Sequence, residues 1–433
     1  MASRKLLIVE VAALGWDLTA RLPLDASCLV FHKLKTVFPA VTCAVQATFR
    51  TASRPREHGM IAHGLYFRDL RKPMFWEQSA ALVAGDRIWK KFREGGKRVG
   101  MMFWQQSLGE AVDLVLSPAP IHKHSGGMIQ DCYSKPSDLY ARLTAAIGRP
   151  FNLMHYWGPL ASQKSSDWIV EATKVVMETP DLAPDLLFTY LPHLDYDLQR
   201  FGPDSKQAEE ALSVMADYLD QLRAHAEATA YDFLFFGDYA MAMVTKEPVF
   251  PNQVLREAGL SSVRWVKGRA YPDFFSSAAF AMVDHEIAHV FTASEKVSRR
   301  AAEILKDLPG VAEVLDRTGQ PVVGIDHARA GELVLVAEEG CWFAYPWWKE
   351  RGEAPDYAGR VDIHNKPGYD PCEMFWGWPP FSVSMDAVRI KGSHGGIGAG
   401  REVAWASSRD FANEPATLLD LSLEVKKWLD SQA

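Results

Sequence analysis

The chain has 433 residues, 48% of them hydrophobic, enough for a large buried core and for two or three domains or one large domain with an insertion. A formal charge of -7, with 47 basic and 54 acidic residues interspersed, argues against a nucleic acid polymer or an anionic lipid surface as partner. It leaves a small anionic substrate as the partner to look for.

From the N-terminus, the apolar run over residues 6–14 is interrupted by Glu10 and predicts a first buried strand rather than a signal peptide. A helix is expected to open at Thr42. Residues 79–94 carry a helical pattern, residues 99–103 an extended one, and helices are expected over 135–147 and 167–178. A strand at 186–191, a helix at 205–229 and a strand at 232–236 continue the alternation, which predicts an α/β fold with a mainly parallel sheet flanked by helices. Ligands in such sheets bind beyond the carboxyl ends of the strands, where His193, Asp195, Asp238 and Tyr239 fall. The texture then shifts to strand, helix over 298–308, strand, and a loop opening at Arg329. Three segments are expected: the main part of the core over 1–260, a small α/β cap over 261–348, and a return to the core over 349–433. Five scattered cysteines (Cys28, Cys43, Cys132, Cys341, Cys372) with no CxxC pair fit reduced thiols and a cytoplasmic setting. No apolar run reaches the roughly eighteen residues of a membrane span.

Thr42 stands between an extended segment and a helix, a place that suits either an N-cap or a hydroxyl offered to an anion at the helix N-terminus. Twelve residues on, Arg54, Pro55, Arg56, Glu57, His58 and Gly59 form a second motif. Others follow in order: Ile88 and Trp89 before a glycine-ended helix, Asp195 ahead of Gly202 and Pro203, Arg329 to Gly331 before an apolar run, and Gly392, Ser393, His394, Gly395. With these motifs in this order, the chain resembles the type I phosphodiesterase/nucleotide pyrophosphatase family of the alkaline phosphatase superfamily.

That resemblance implies Thr42 as nucleophile, two divalent metals, and a covalent phosphothreonine that water hydrolyses. In such chemistry the metals lower the pKa of the attacking hydroxyl and stabilise charge on the attacking and leaving oxygens. Asp195, Asp238 and His394 match the family's metal ligands. Gln199 stands where a His is expected, Tyr239 where another His is expected, and Ala12 where the first Asp belongs, while His63 replaces an Asn that contacts the phosphoryl oxygen. The resemblance thus implies one or two ions, with zinc, magnesium, manganese and calcium left open. Glu10 shares a strand face with Ala12, Gln199 offers a carbonyl oxygen, and His193 or His63 offers an imidazole, so each is a possible replacement ligand or base.

Asp284, His285 and His289 pattern either as a helical metal face or as a strand in which the two imidazoles lie about 13 Å apart, and the flanking residues favour the strand. His63, Tyr239 and Lys366 are the candidates for contacting substrate, with His364 and Tyr369 beside Lys366 in a Pro-Gly turn. Residues 66–69, Phe75 and Trp76 offer aromatic surface or core. The leading expectation is a phosphodiesterase-like hydrolase of a small phosphate ester. The alternatives are a transferase or metal-depleted enzyme on the same scaffold, and a non-catalytic binding protein.

Overall fold

The computed structural model describes residues 4–24, 29–124 and 127–433; Cys28 lies outside them. An eight-stranded sheet forms the centre, in the spatial order His32–Leu34, Val403–Ser407, Tyr231–Gly237, Lys5–Val11, Leu186–Leu191, Val99–Met102, Leu114–Pro118, Cys132–Lys135. Lys5–Val11 runs parallel to Tyr231–Gly237 and to Leu186–Leu191, and the parallel block continues through Val99–Met102 to Leu114–Pro118. Antiparallel strands close both edges. The three middle strands are buried along almost their whole length, which is why they carry continuous apolar runs rather than alternation. Helices Thr42–Thr51, Gln163–Glu178, Lys206–Ala228 and Leu418–Ser431 bury their apolar faces in the same core.

A second, antiparallel sheet of four strands takes the order Ala279–Asp284, Ile287–Thr292, Leu333–Ala337, Val311–Leu315 and packs on helix Glu295–Leu305 around its own apolar cluster. Asp284 to Ile287 form the hairpin turn, so the Asp284 to His289 segment is β-structure, and the imidazoles of His285 and His289 belong to different environments. His289 is satisfied by the Ile61 carbonyl and the Gly331 N–H. The apolar run after Arg329, expected within a loop, is a strand of this sheet.

Two helix expectations shorten. Residues 79–94 give only the 3-10 turn Ala80–Leu82, capped by Ser79, and helix Lys90–Glu94, because Gly85 sits between them at a φ of 94° that ends regular helix. Lys135 remains in the edge strand ahead of Pro136, and the helix begins at Leu139, as the steric bias against helical backbone before proline dictates. The four cysteines among the described residues are free and buried, and no described helix is long and apolar enough to cross a membrane.

The Arg54 motif is a short capped helix, Pro55–His58, in which the Glu57 carboxylate returns to the Arg54 N–H at 2.7 Å and Pro55 occupies the first turn. Gly59 follows at a φ of 76°, where a Cβ would press on Arg329 and His327. His58 is fully buried, accepts the Met60 N–H at Nδ1 and faces the Thr48 hydroxyl at Nε2. Burial, with Arg50 nearby, pushes its pKa down to about 3. The unfolded chain protonates this ring below about pH 6.5 while the folded chain does not until about pH 3, so His58 subtracts stability as pH falls through that window. His58→Gln is expected to reduce the loss of unfolding free energy on acidification by about 1.4 kcal/mol per pH unit between pH 6 and 4. Urea melts at stepped pH measure it, and an unchanged slope would rule the ring out as a contributor.

Candidate active site

The sequence candidates converge at the carboxyl ends of the central strands. Asp238 directly follows Tyr231–Gly237, and a Cβ at Gly237 would collide with the Leu14 carbonyl oxygen, so only glycine lets the two strand exits pass this closely. The Asp238 Oδ1 accepts the N–H groups of Ala13 at 3.0 Å and Tyr239 at 2.8 Å, and its Oδ2 accepts the Thr42 hydroxyl at 3.0 Å. Thr42 is the first residue of its helix and not the cap; Val41 takes the cap position with no side-chain bond, which frees the Thr42 hydroxyl for Asp238.

Glu10 lies beneath this pair, fully buried, with neither carboxylate oxygen hydrogen-bonded. Burial and the neighbouring Asp238 charge raise its pKa well above the usual range, and burial raises Asp238 too. Two carboxyls this close share one proton most readily, and Glu10, with no donors, is the one that keeps it. Asp238, supplied with three donors, is the one that ionises.

Asp195 stands in the first turn of helix His193–Phe201, one turn before Gln199. Its Oδ1 accepts the Tyr239 hydroxyl at 2.8 Å and its Oδ2 the Gln199 amide at 2.6 Å; burial still pushes its pKa up to about 6. The Gln199 carbonyl accepts from the Tyr369 hydroxyl at 3.2 Å. The Tyr239 ring lies flat on His394, with centroids 3.4 Å apart and planes within 1°, while His394 Nδ1 meets the Ala40 carbonyl at 2.8 Å.

This arrangement does not fit the two-ion site that the family resemblance implies. Both Asp195 oxygens face hydrogen-bond donors, and the Tyr239 ring occupies the approach between Asp195 and His394. Ala12 brings no donor atom to Asp238 and Thr42, and Tyr239 turns its hydroxyl to Asp195 instead. Among the described residues, the group with metal-like donor spacing is His63, Asp284 and His285, with ligand atoms within 4.8 Å of one another. In sequence Asp284 and His285 pattern with His289; what sets His285 apart is its place in a hairpin turn, at a φ of 61° that favours glycine or asparagine.

The remaining candidates separate. His63 is 3% exposed, stacks on Trp76 with centroids 4.4 Å apart, and bonds Asp284 through Nδ1. Lys366 is 1% exposed, and its ammonium is held by the Arg360 carbonyl and the carboxylates of Asp370 and Glu373. Its three N–H groups are thereby engaged inside the protein. His193 packs edge-on to Tyr218 in the helical layer, with both nitrogens unpartnered. His364 bonds the Phe75 carbonyl. Phe75, Trp76, Trp157, Tyr369 and Lys366 line a small recess with room for about one water molecule, and His63 stacks on its Trp76 wall.

Tyr239→Phe keeps the ring on His394 and removes one donor from Asp195. A loss of about 1–2 kcal/mol of stability is expected, read from chemical denaturation, since a buried carboxylate loses a partner. No loss would mean that the hydroxyl does not engage Asp195.

A model of the family described as type I phosphodiesterase/nucleotide pyrophosphatase matches residues 24–370. Murine ectonucleotide pyrophosphatase/phosphodiesterase 5 is 15% identical, with 99% of this chain and 95% of that one covered at a TM-score of 0.63. Phosphonoacetate hydrolase from Sinorhizobium meliloti 1021, solved with phosphonoformate, is 15% identical, with 99% and 96% covered at a TM-score of 0.66. No curated protein matches the chain in sequence. The fold is thus the alkaline-phosphatase-like one, and the chain belongs to the type I phosphodiesterase/nucleotide pyrophosphatase family of phosphoric ester hydrolases.

Proposed function

We propose that this chain hydrolyses a small anionic phosphorus ester through Thr42. The observation that carries the reading is the Thr42 hydroxyl, placed at the start of a ten-residue helix and donating to the Asp238 carboxylate at 3.0 Å. A hydroxyl nucleophile needs an acceptor for its proton, and a carboxylate in hydrogen-bond contact supplies one.

As the Thr42 oxygen bonds to phosphorus, its proton passes to Asp238 Oδ2 and the ester oxygen leaves with its electron pair. Water then attacks the phosphothreonine and gives up one proton, which neutralises the ester oxygen that left; the P–O bond to Thr42 breaks, and the proton on Asp238 returns to the threonine oxygen. The first-turn N–H groups of helix Thr42–Thr51 face the developing charge. His63 stands at the position where the resemblance places a phosphoryl contact, with its Nδ1 on Asp284. Solved neighbours hold AMP in an inactive variant of the murine protein and phosphonoacetate in the bacterial one, which supports a small phosphorus oxyanion as the substrate class here.

The Tyr239 ring between Asp195 and His394 favours a second reading, in which the same scaffold works with fewer ions than its relatives or passes the phosphoryl group to an acceptor other than water. Product analysis in the presence of alcohols separates transfer from hydrolysis.

Thr42→Ala is expected to lower turnover of an aryl phosphodiester or phosphonate by more than about 1000-fold, at a stability cost of about 1 kcal/mol. Retained turnover would remove the nucleophile assignment. Because Asp238 must be ionised to accept the proton and burial raises its pKa, kcat/KM is expected to climb with pH along an acid limb well above the ordinary carboxylate range. A profile flat from about pH 5 upward would exclude Asp238 as the acceptor.

A further inference from the structure

We propose that this chain binds a divalent transition-metal ion through His63 and His285, held in place by Asp284, at positions other than those its family resemblance assigns to metal.

Asp284 ends its strand fully buried. Its Oδ1 lies 2.9 Å from His63 Nδ1 and 2.8 Å from His285 Nδ1, and its Oδ2 accepts the His63 N–H at 2.7 Å. A carboxylate with these partners can only accept, so each neutral imidazole carries its proton on Nδ1 and its lone pair on Nε2. A carboxylate behind the far nitrogen is the usual support of a metal-binding histidine, since it fixes both the tautomer and the ring orientation.

The two Nε2 atoms are buried and without any partner. Leaving two acceptors dry in the interior costs about 1–3 kcal/mol each, and an ion between them removes both penalties. The rings stand with centroids 5.4 Å apart at 60°. Two imidazoles bound at about 2.0–2.1 Å to one tetrahedral ion have centroids roughly 5 Å apart, close to the observed ring spacing.

One further observation points the same way. His285 adopts a φ of 61° in a tight turn, a conformation that costs a non-glycine residue about 1 kcal/mol and that asparagine or glycine would take more readily. The side chain, rather than the backbone, accounts for histidine here. An imidazole set of this kind selects zinc, cobalt, nickel or iron over magnesium and calcium, which prefer oxygen ligands.

The inference stands apart from the hydrolase reading, because ion binding is measured without turnover. The full chain, stripped with chelator and dialysed, is titrated with Zn²⁺ by calorimetry and with Co²⁺ by absorption in the visible. Expected are saturation at about one equivalent and cobalt bands of a nitrogen-rich tetrahedral site. His63→Ala and His285→Asn, the latter chosen because asparagine suits the turn, should each weaken binding by more than about tenfold, and Asp284→Asn by about 10–100-fold. Asp195→Asn and Asp238→Asn should leave the stoichiometry unchanged, with circular dichroism confirming that each variant is folded. Absence of binding to the parent chain overturns the proposal, as does retention of the ion in folded His63→Ala and His285→Asn. Loss of the ion in Asp195→Asn or Asp238→Asn would return the metal to the family positions and overturn it equally.

Discussion

The carboxylate of Asp238 holds the centre of this molecule together. With three acceptor contacts it joins the exit of the first strand at Ala13, its own strand at Tyr239, and the start of the Thr42 helix. Its burial makes each contact count, since an ionised carboxylate in the interior must have its lone pairs met. Glu10 completes the constraint from below: two carboxyls in one dry space are tolerated only if one stays protonated. The position of the nucleophile candidate is therefore a consequence of charge accommodation as much as of backbone path.

Tyr239 sets what surrounds that centre. By bonding Asp195 with its hydroxyl and covering His394 with its ring, it turns two groups that could have met an ion into members of a hydrogen-bonded and stacked assembly. Gln199 and Tyr369 extend the assembly outward. The result is a site whose scaffold is that of its family while the shell around Thr42 is rebuilt in neutral and aromatic groups.

Much of the main sheet was legible in the sequence because its middle strands are short apolar runs between amphipathic helices, and the motif order placed Thr42, Asp195, Asp238 and His394 at strand ends. What could not be read there depends on side-chain direction across long separations. Nothing local in the sequence says that Lys366 faces inward to Asp370 and Glu373 rather than outward to a ligand, since acids four and seven residues away in an irregular loop set no face. The meeting of His63 with Asp284 spans 221 residues and two sheets. The helix expected over residues 79–94 dissolved at a single glycine whose backbone sign, not its composition, decided the matter.

The hairpin turn of the smaller sheet reaches into the loops of the larger one: the Glu286 N–H donates to the His394 carbonyl, and the Glu286 carboxylate accepts from the Gly396 N–H and from Arg401. Groups from both sheets thus surround one place, and the chain between them must close loops of a hundred residues or more before any of these contacts exist. The site is complete only when segments far along the chain from Thr42 are in place. A nascent chain that has completed only its first parallel strands carries Thr42 but nothing for it to work with, so premature chemistry is precluded by the order in which the polypeptide is joined.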